Sequence, residues 1–169
     1  AKKELIEYYQ RKADPRAGQN NATYAAMIQS VDETVGRILD TLDKLGLADR
    51  TVIFFTGDNG GLLPNTSNAP LRAGKGSAYE GGVRVPLLVR WPGVTPPGSV
   101  CAEPVISVDY FPTIAQLAGV PVIEGAVDGE SLAPLLKEPQ AKLGREAIYW
   151  HYPHYHPGGA TPYGAVRKG

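Results

Sequence analysis

The clearest periodicity in the chain runs from Thr23 to Leu45. Tyr24, Met27, Ile28, Val31, Val35, Ile38, Leu42 and Leu45 recur there at steps of three and four. Such steps line up one apolar stripe along a helix, so the segment reads as an amphipathic helix. Asn21 or Thr23 would cap its start, and Glu33 with Arg37 would form an i,i+4 pair on the wet side. Gly46 stands where a left-handed C-terminal cap belongs. The pattern then changes: "TVIFF" (Thr51 to Phe55) is short, β-branched and aromatic, and apolar on both faces, which predicts a fully buried strand. A helix feeding such a strand belongs to an α/β layer architecture.

Beyond that strand, residues 60 to 85 are irregular and rich in Gly, Asn and Ser, and loops of such length are usually functional or disordered. "VPLLVRW" (Val85 to Trp91) predicts a second strand, with Pro86 at its start or on an edge. "PGVTPPGS" is a run of turns. Asp109 is placed to cap a helix through Phe111, Ile114, Leu117 and Ala118, stopped by Gly119 and Pro121. "DGESLAPLL" reads as a short helix and "EAIYW" as a further strand. The tail "HYPHYHPGGATPYGAVRKG" reads mostly as loop. No internal repeat stands out and no linker divides the chain, so residues 1–169 are taken as a single unit.

Composition narrows the classes. Lys and Arg total 17, as do Asp and Glu, so no net field draws this 169-residue chain to nucleic acid or a membrane surface. No apolar run approaches the roughly 18 residues of a membrane span. "AKKELIEYYQRK" is charged and amphipathic, unlike a signal peptide, and a first residue other than Met points to processing or trimming. The one cysteine, Cys101, excludes an internal disulfide and a multi-cysteine zinc site. The glycosylation triplet occurs at Asn21 ("NAT") and Asn65 ("NTS"), although it is frequent by chance.

Three clusters offer chemistry. Asp58 and Asn59 close the first strand within "TGDNGG"; a carboxylate beside an amide oxygen suits Ca²⁺ or Mg²⁺, and Gly57, Gly60 and Gly61 let the chain turn both toward one ion. An ordinary turn uses the same residues. Lys75 lies between two glycines in "LRAGKGSAYEGG", which suits contact with an oxyanion and equally a solvated lysine. The spacing there is not that of a phosphate-binding P-loop. Glu80 and Arg84 are spaced for a structural ion pair. His151, His154 and His156 in "WHYPHYHP" are candidates for a substrate wall that hydrogen-bonds a polar ring or an anion. They suit equally a surface loop with stacked aromatics, or two ligands of a transition metal that lacks a nearby carboxylate.

Taken together, "YAAMIQSVDETVGRILDTL", "TVIFFTGDNGG", "LRAGKGSAYEGGVRVPLLVRWPG", "VISVDYFPTIAQLAG" and "DGESLAPLL" resemble the later half of a sulfatase of the arylsulfatase type. The resemblance covers about residues 22 to 136, and the tail more loosely. It implies the alkaline-phosphatase-like α/β fold, with a large mixed central sheet between helices. It implies a divalent cation, usually Ca²⁺, with Asp58 and Asn59 as two ligands, and Lys75 as the lysine on the sulfate. It also implies a formylglycine nucleophile made from Cys or Ser in a Cys/Ser-x-Pro-x-Arg motif. Nothing here matches that motif: Cys101 sits in "SVCAEPV" and follows the lysine segment instead of preceding it. The early paired aspartates, and the earlier lysine and histidines around the sulfate, are also unmatched.

The resemblance therefore implies a C-terminal portion of a sulfatase catalytic domain, inactive alone, whose complete form hydrolyses sulfate esters of sugars or aryl compounds. A periplasmic or secreted parent fits it, since such enzymes are often exported. A phosphodiesterase or phosphonate hydrolase of the same superfamily is the nearest alternative; two-zinc members commonly place histidine where Asn59 stands. A non-catalytic sulfatase-like binding protein is the other. Helices and strands shaped for absent neighbours predict self-association of the chain.

Overall fold

A computed structural model describes residues 1–14, 18–122, 125–156 and 160–169. Five α-helices and four strands are present among them: α1 (Lys3–Lys12), α2 (Ala22–Lys44), β1 (Ile53–Thr56), α3 (Glu80–Val83), β2 (Leu87–Arg90), α4 (Tyr110–Leu117), α5 (Ala133–Lys137), β3 (Ile148–Tyr152) and β4 (Tyr163–Arg167). β1 pairs with β2 and β3 with β4, so the described residues hold two two-stranded sheets and not one large sheet. The chain divides into two compact units, the first comprising residues 1–51, 55–88 and 153–163, the second residues 52–54, 89–152 and 164–169.

In the first unit, α2 matches the periodic segment closely. Asn21 caps it, its Oδ1 accepting the Tyr24 N–H at 3.0 Å. At the far end Gly46 takes φ +64°, and the Leu47 N–H reaches the Leu42 carbonyl at 2.9 Å while the Gly46 N–H reaches Asp43 at 3.0 Å. This crossed pair is the Schellman ending that glycine permits. The expected Glu33–Arg37 pair is replaced. Glu33 takes Lys2 Nζ at 3.0 Å and the Gln29 amide at 3.0 Å, while Arg37 bonds Thr34. The α1 helix packs on α2, and Lys2 at its start supplies the nearer charge. The Lys2 bond, with help from Gln29, holds the Glu33 carboxyl below its ordinary pKa.

The second unit contains most of the buried apolar residues. Leu132, Ala133, Leu135 and Leu136 of the α5 segment lie buried, as do Ala115 of α4 and Ile148 of β3. Asp109 corrects an expectation. It stands at the start of α4 but makes no side-chain cap there. Its fully buried carboxylate instead accepts both guanidinium arms of Arg145, at 2.7 and 2.6 Å, and the N–H groups of Ile106 and Glu130 at 2.8 and 3.0 Å. That bond is the main reason the Arg145 pKa is raised above its usual value. Thr113 ties the same region, donating to the Asp109 carbonyl and accepting the Leu132 N–H at 2.8 Å.

Two further expectations change. β1 is not fully buried: Phe55 is 43% exposed and the other three residues are half-buried, because among the described residues β2 alone pairs with the strand. The tail also holds a strand that the sequence reading did not place, Tyr163–Arg167 as β4 on β3, although most of its described residues are loop as expected. β2, α4, α5 and β3 lie where the sequence pattern put them. No helix among the described residues is long and apolar enough to cross a membrane.

Candidate functional site

Asp58 and Asn59 follow β1 after Gly57, and the backbone around them is folded back tightly on the segment from Asn68 to Gly82. The Gly60 N–H donates to the Gly82 carbonyl at 2.9 Å, and the Lys75 N–H donates to the Gly61 carbonyl at 3.1 Å. Lys75 is therefore tied two residues beyond Asn59, although it lies 14 positions further on than Gly61 in the sequence. Asn68 locks the turn from inside. Its Oδ1 accepts the Gly61 N–H at 2.9 Å, and its Nδ2 donates to the carbonyls of Gly61 and Ala73 at 2.9 and 3.1 Å.

The glycines are there for contact. A Cβ on Gly60 would sit 1.7 Å from the Gly81 carbonyl oxygen, and one on Gly82 would sit 2.2 Å from the Ser77 carbonyl. Distances that short exclude any side chain, so two stretches of backbone lie face to face. The Arg72 guanidinium lies 3.7 Å over the ring of Tyr79 and steadies the same loop from its outer side. Glu80 and Arg84 form the expected ion pair at 3.1 Å across α3.

The candidate groups themselves are accessible. The side chains of Asp58 and Lys75 are both exposed, and neither side chain has a hydrogen-bond or ion-pair partner among the described residues. The Asn59 amide nitrogen donates to the Gly60 carbonyl at 3.0 Å, which leaves its oxygen for another role. Two hard oxygen donors side by side fit part of a calcium shell, which takes roughly six to eight oxygens. The described residues contain no group of three or more His, Cys, Asp or Glu able to hold a metal ion.

The histidines separate. His151 is exposed on β3, in the second unit. His154 and His156 belong to the first unit, with Asp58, Asn59 and Lys75. His156 comes close to the lysine loop: its Nδ1 lies 4.0 Å from where a Cβ on Gly76 would stand, and Gly76 has φ +88°. Its N–H donates to the Ala160 carbonyl at 2.9 Å. Asn68 is the organising residue that the sequence did not single out. An asparagine among Ser, Asn and Pro carries no local sign that it will face inward.

The backbone of a glycine-flanked lysine is thus tied two residues beyond a carboxylate and an amide that follow a strand. The model of the Sulfatase family matches residues 1–120. A curated sulfatase from Formosa agariphila is 40% identical over 158 residues, which cover 86% of this chain and 28% of that protein. The crystal structure of Ps i-CgsB in complex with k-i-k-neocarrahexaose superposes with a TM-score of 0.81 at 35% identity, covering 99% of this chain and 36% of that one. The phosphonate monoester hydrolase SpPMH from Silicibacter pomeroyi superposes at 0.64 with 34% identity, over 76% of this chain and 24% of its own.

The chain belongs to the sulfatase family and carries part of the alkaline-phosphatase-like fold. It spans about a quarter of the length of the curated relatives it matches.

Proposed function

We propose that residues 1–169 are one C-terminal portion of a sulfatase catalytic domain, inactive alone, whose complete form hydrolyses sulfate esters of sugars or aryl alcohols. The observation that carries this reading is the Lys75–Gly61 backbone hydrogen bond, which brings the lysine to the strand end that bears Asp58 and Asn59. In this reading Asp58 and Asn59 hold Ca²⁺, with Mg²⁺ the alternative hard cation. The ion, when bound, supplies Lewis-acid polarisation of the sulfate oxygens. Lys75 sets its ammonium against the same sulfate and offsets the charge that grows on the transferring group. The packed glycines keep these groups from reorganising as the ester breaks, which is where preorganised charge is most effective. A formylglycine nucleophile would lie outside these 169 residues, and Cys101 has no part in the reaction.

The likeness to a phosphonate monoester hydrolase favours a second reading, transfer of a phosphoryl or phosphonyl group by the same frame. The test uses the full-length product of the coding region that contains this chain, with matched 4-nitrophenyl sulfate, phosphate and phenylphosphonate esters. Preference for sulfate is the expected result, and preference for a phosphorus ester would replace this reading with the second. Lys75→Ala is expected to lower kcat by about 10²–10³-fold. Chelation should abolish turnover, Ca²⁺ should restore it, and Asp58→Ala should weaken calcium binding in calorimetry. Full activity of Lys75→Ala would remove Lys75 from the reaction, and absence of turnover on all three esters by the wild type with intact calcium binding would leave a non-catalytic binding protein as the better description.

A further inference from the structure

Of the asparagines in the chain, at positions 20, 21, 59, 65 and 68, Asn59 alone is followed by glycine. Asparagine is a heat-labile residue, and before glycine most of all, because the following backbone nitrogen is then unhindered and free to turn onto the side chain. The fold engages both groups that such a reaction needs. The Gly60 N–H, whose nitrogen would attack, donates to the Gly82 carbonyl at 2.9 Å. The Asn59 Nδ2, which would depart, donates to the Gly60 carbonyl at 3.0 Å. Gly60 is buried, and a Cβ on it would overlap the Gly81 carbonyl oxygen, so this peptide has little room to swing. The opposing segment is braced in turn: the Gly81 N–H reaches the Arg72 carbonyl at 2.8 Å and the Gly82 N–H reaches that of Tyr79 at 2.7 Å.

From this geometry we infer that Asn59 is a modification site, a latent succinimide-forming asparagine held shut by the Gly60–Gly82 hydrogen bond and released when the lysine loop parts from the strand end. The reaction needs only water. The Gly60 nitrogen bonds to Asn59 Cγ and gives up its proton, which reaches the departing Nδ2 through solvent, and the Cγ–Nδ2 bond breaks to release ammonia. A five-membered imide results with no change of oxidation state. Water then opens the imide at one of its two carbonyls. Cleavage at Cγ leaves aspartate on an intact backbone, and cleavage at the main-chain carbonyl leaves isoaspartate, with the chain rerouted through the side chain. Aspartate puts a second negative charge beside Asp58. Isoaspartate adds a methylene to a backbone that is packed against Gly81 and Gly82. Neither outcome depends on which ester the complete protein cleaves.

Attack by the Gly60 nitrogen and exchange of its amide hydrogen demand the same local opening, rupture of the bond to Gly82, so the two rates should fall together. The experiment incubates the full-length product of the coding region that contains this chain, folded in buffer, folded with excess chelator, and unfolded in guanidinium chloride. Peptide mapping follows residue 59 as asparagine, aspartate or isoaspartate, and mass spectrometry with fragmentation reads amide exchange at Gly60. Conversion is expected to be about a hundredfold or more slower in the folded protein than in the unfolded one, matching the protection of the Gly60 amide within about tenfold. Gly82→Ala, whose Cβ would overlap the Ser77 carbonyl, should speed both conversion and exchange in the folded state. Asn59→Gln should abolish conversion even when unfolded, since its longer side chain closes a less favourable six-membered ring. If Gly82→Ala does not fold, the match between conversion and exchange in the wild type decides.

Equal conversion in folded and unfolded protein overturns the inference, as does an unfolded chain in which Asn59 converts no faster than the other asparagines. Conversion that becomes fast on chelation while the Gly60 amide stays protected also overturns it, because a bound ion and not the hydrogen bond would then be the guard. So does a folded Gly82→Ala with faster Gly60 exchange and unchanged conversion.

Discussion

A side chain on Gly60 would begin 1.7 Å from the carbonyl oxygen of Gly81, and that single distance explains much of the candidate site. The strand end and the lysine loop meet as bare backbone, and Asn68 fills the remaining bonds with one side chain. Gly60→Ala is expected to push the two segments apart and lower stability by about 1–3 kcal/mol or more, read as a fall in Tm. An unaltered Tm would show that the contact yields easily. At this scale the site was partly legible. Asp58, Asn59 and Lys75 stood out because their types and glycine neighbours already suggest ion and oxyanion chemistry. Asn68 did not, because its role depends on Gly61 and Ala73 reaching it through the folded loop.

At the level of elements, local rules succeeded where the deciding bonds are local. The start of α2 rests on Asn21 and Tyr24, three residues apart, and its end on Gly46, so both were readable in order along the chain. Asp109 was misread for the opposite reason. It has the position of a helix cap, but Arg145, 36 residues away, takes its carboxylate. Replacing Asp109 with Ala leaves the Arg145 guanidinium, only 16% exposed, without its counter-charge. The expected loss is about 3–5 kcal/mol, measured by urea unfolding, and a loss below about 1 kcal/mol would show that water replaces the pair freely. β4 was missed because its strand signal is five residues long and follows a run of Pro, Gly and His that reads as loop.

For the whole molecule the informative feature is apolar surface left in the open. On α2, Met27, Ile28, Val31 and Ile38, with Leu45 at its C-cap, are each about half exposed or more, along the very stripe that identified the helix. Phe55 and Leu88 on the first sheet, and Phe111 and Ile114 on α4, add to it. An exposed apolar stripe like that on α2 is uncommon on monomers, and open strand edges invite pairing. The isolated 169-residue chain is therefore expected to self-associate in sedimentation velocity at micromolar concentration. A single sharp monomer species over a tenfold concentration range would refute this.

The order of residues alone determined the amphipathic α2, the apolar β1 and β2, the turn-rich stretches and the kinship with sulfatases. Each of these rests on periodicity or on motifs a few residues long. Tertiary structure alone decided which side of each element is covered, which charges pair and which candidates share a neighbourhood. Burial, the Asp109–Arg145 pair, the Gly60–Gly82 contact and the approach of His156 to Gly76 all depend on residues distant in sequence meeting in space. No short-range pattern encodes that.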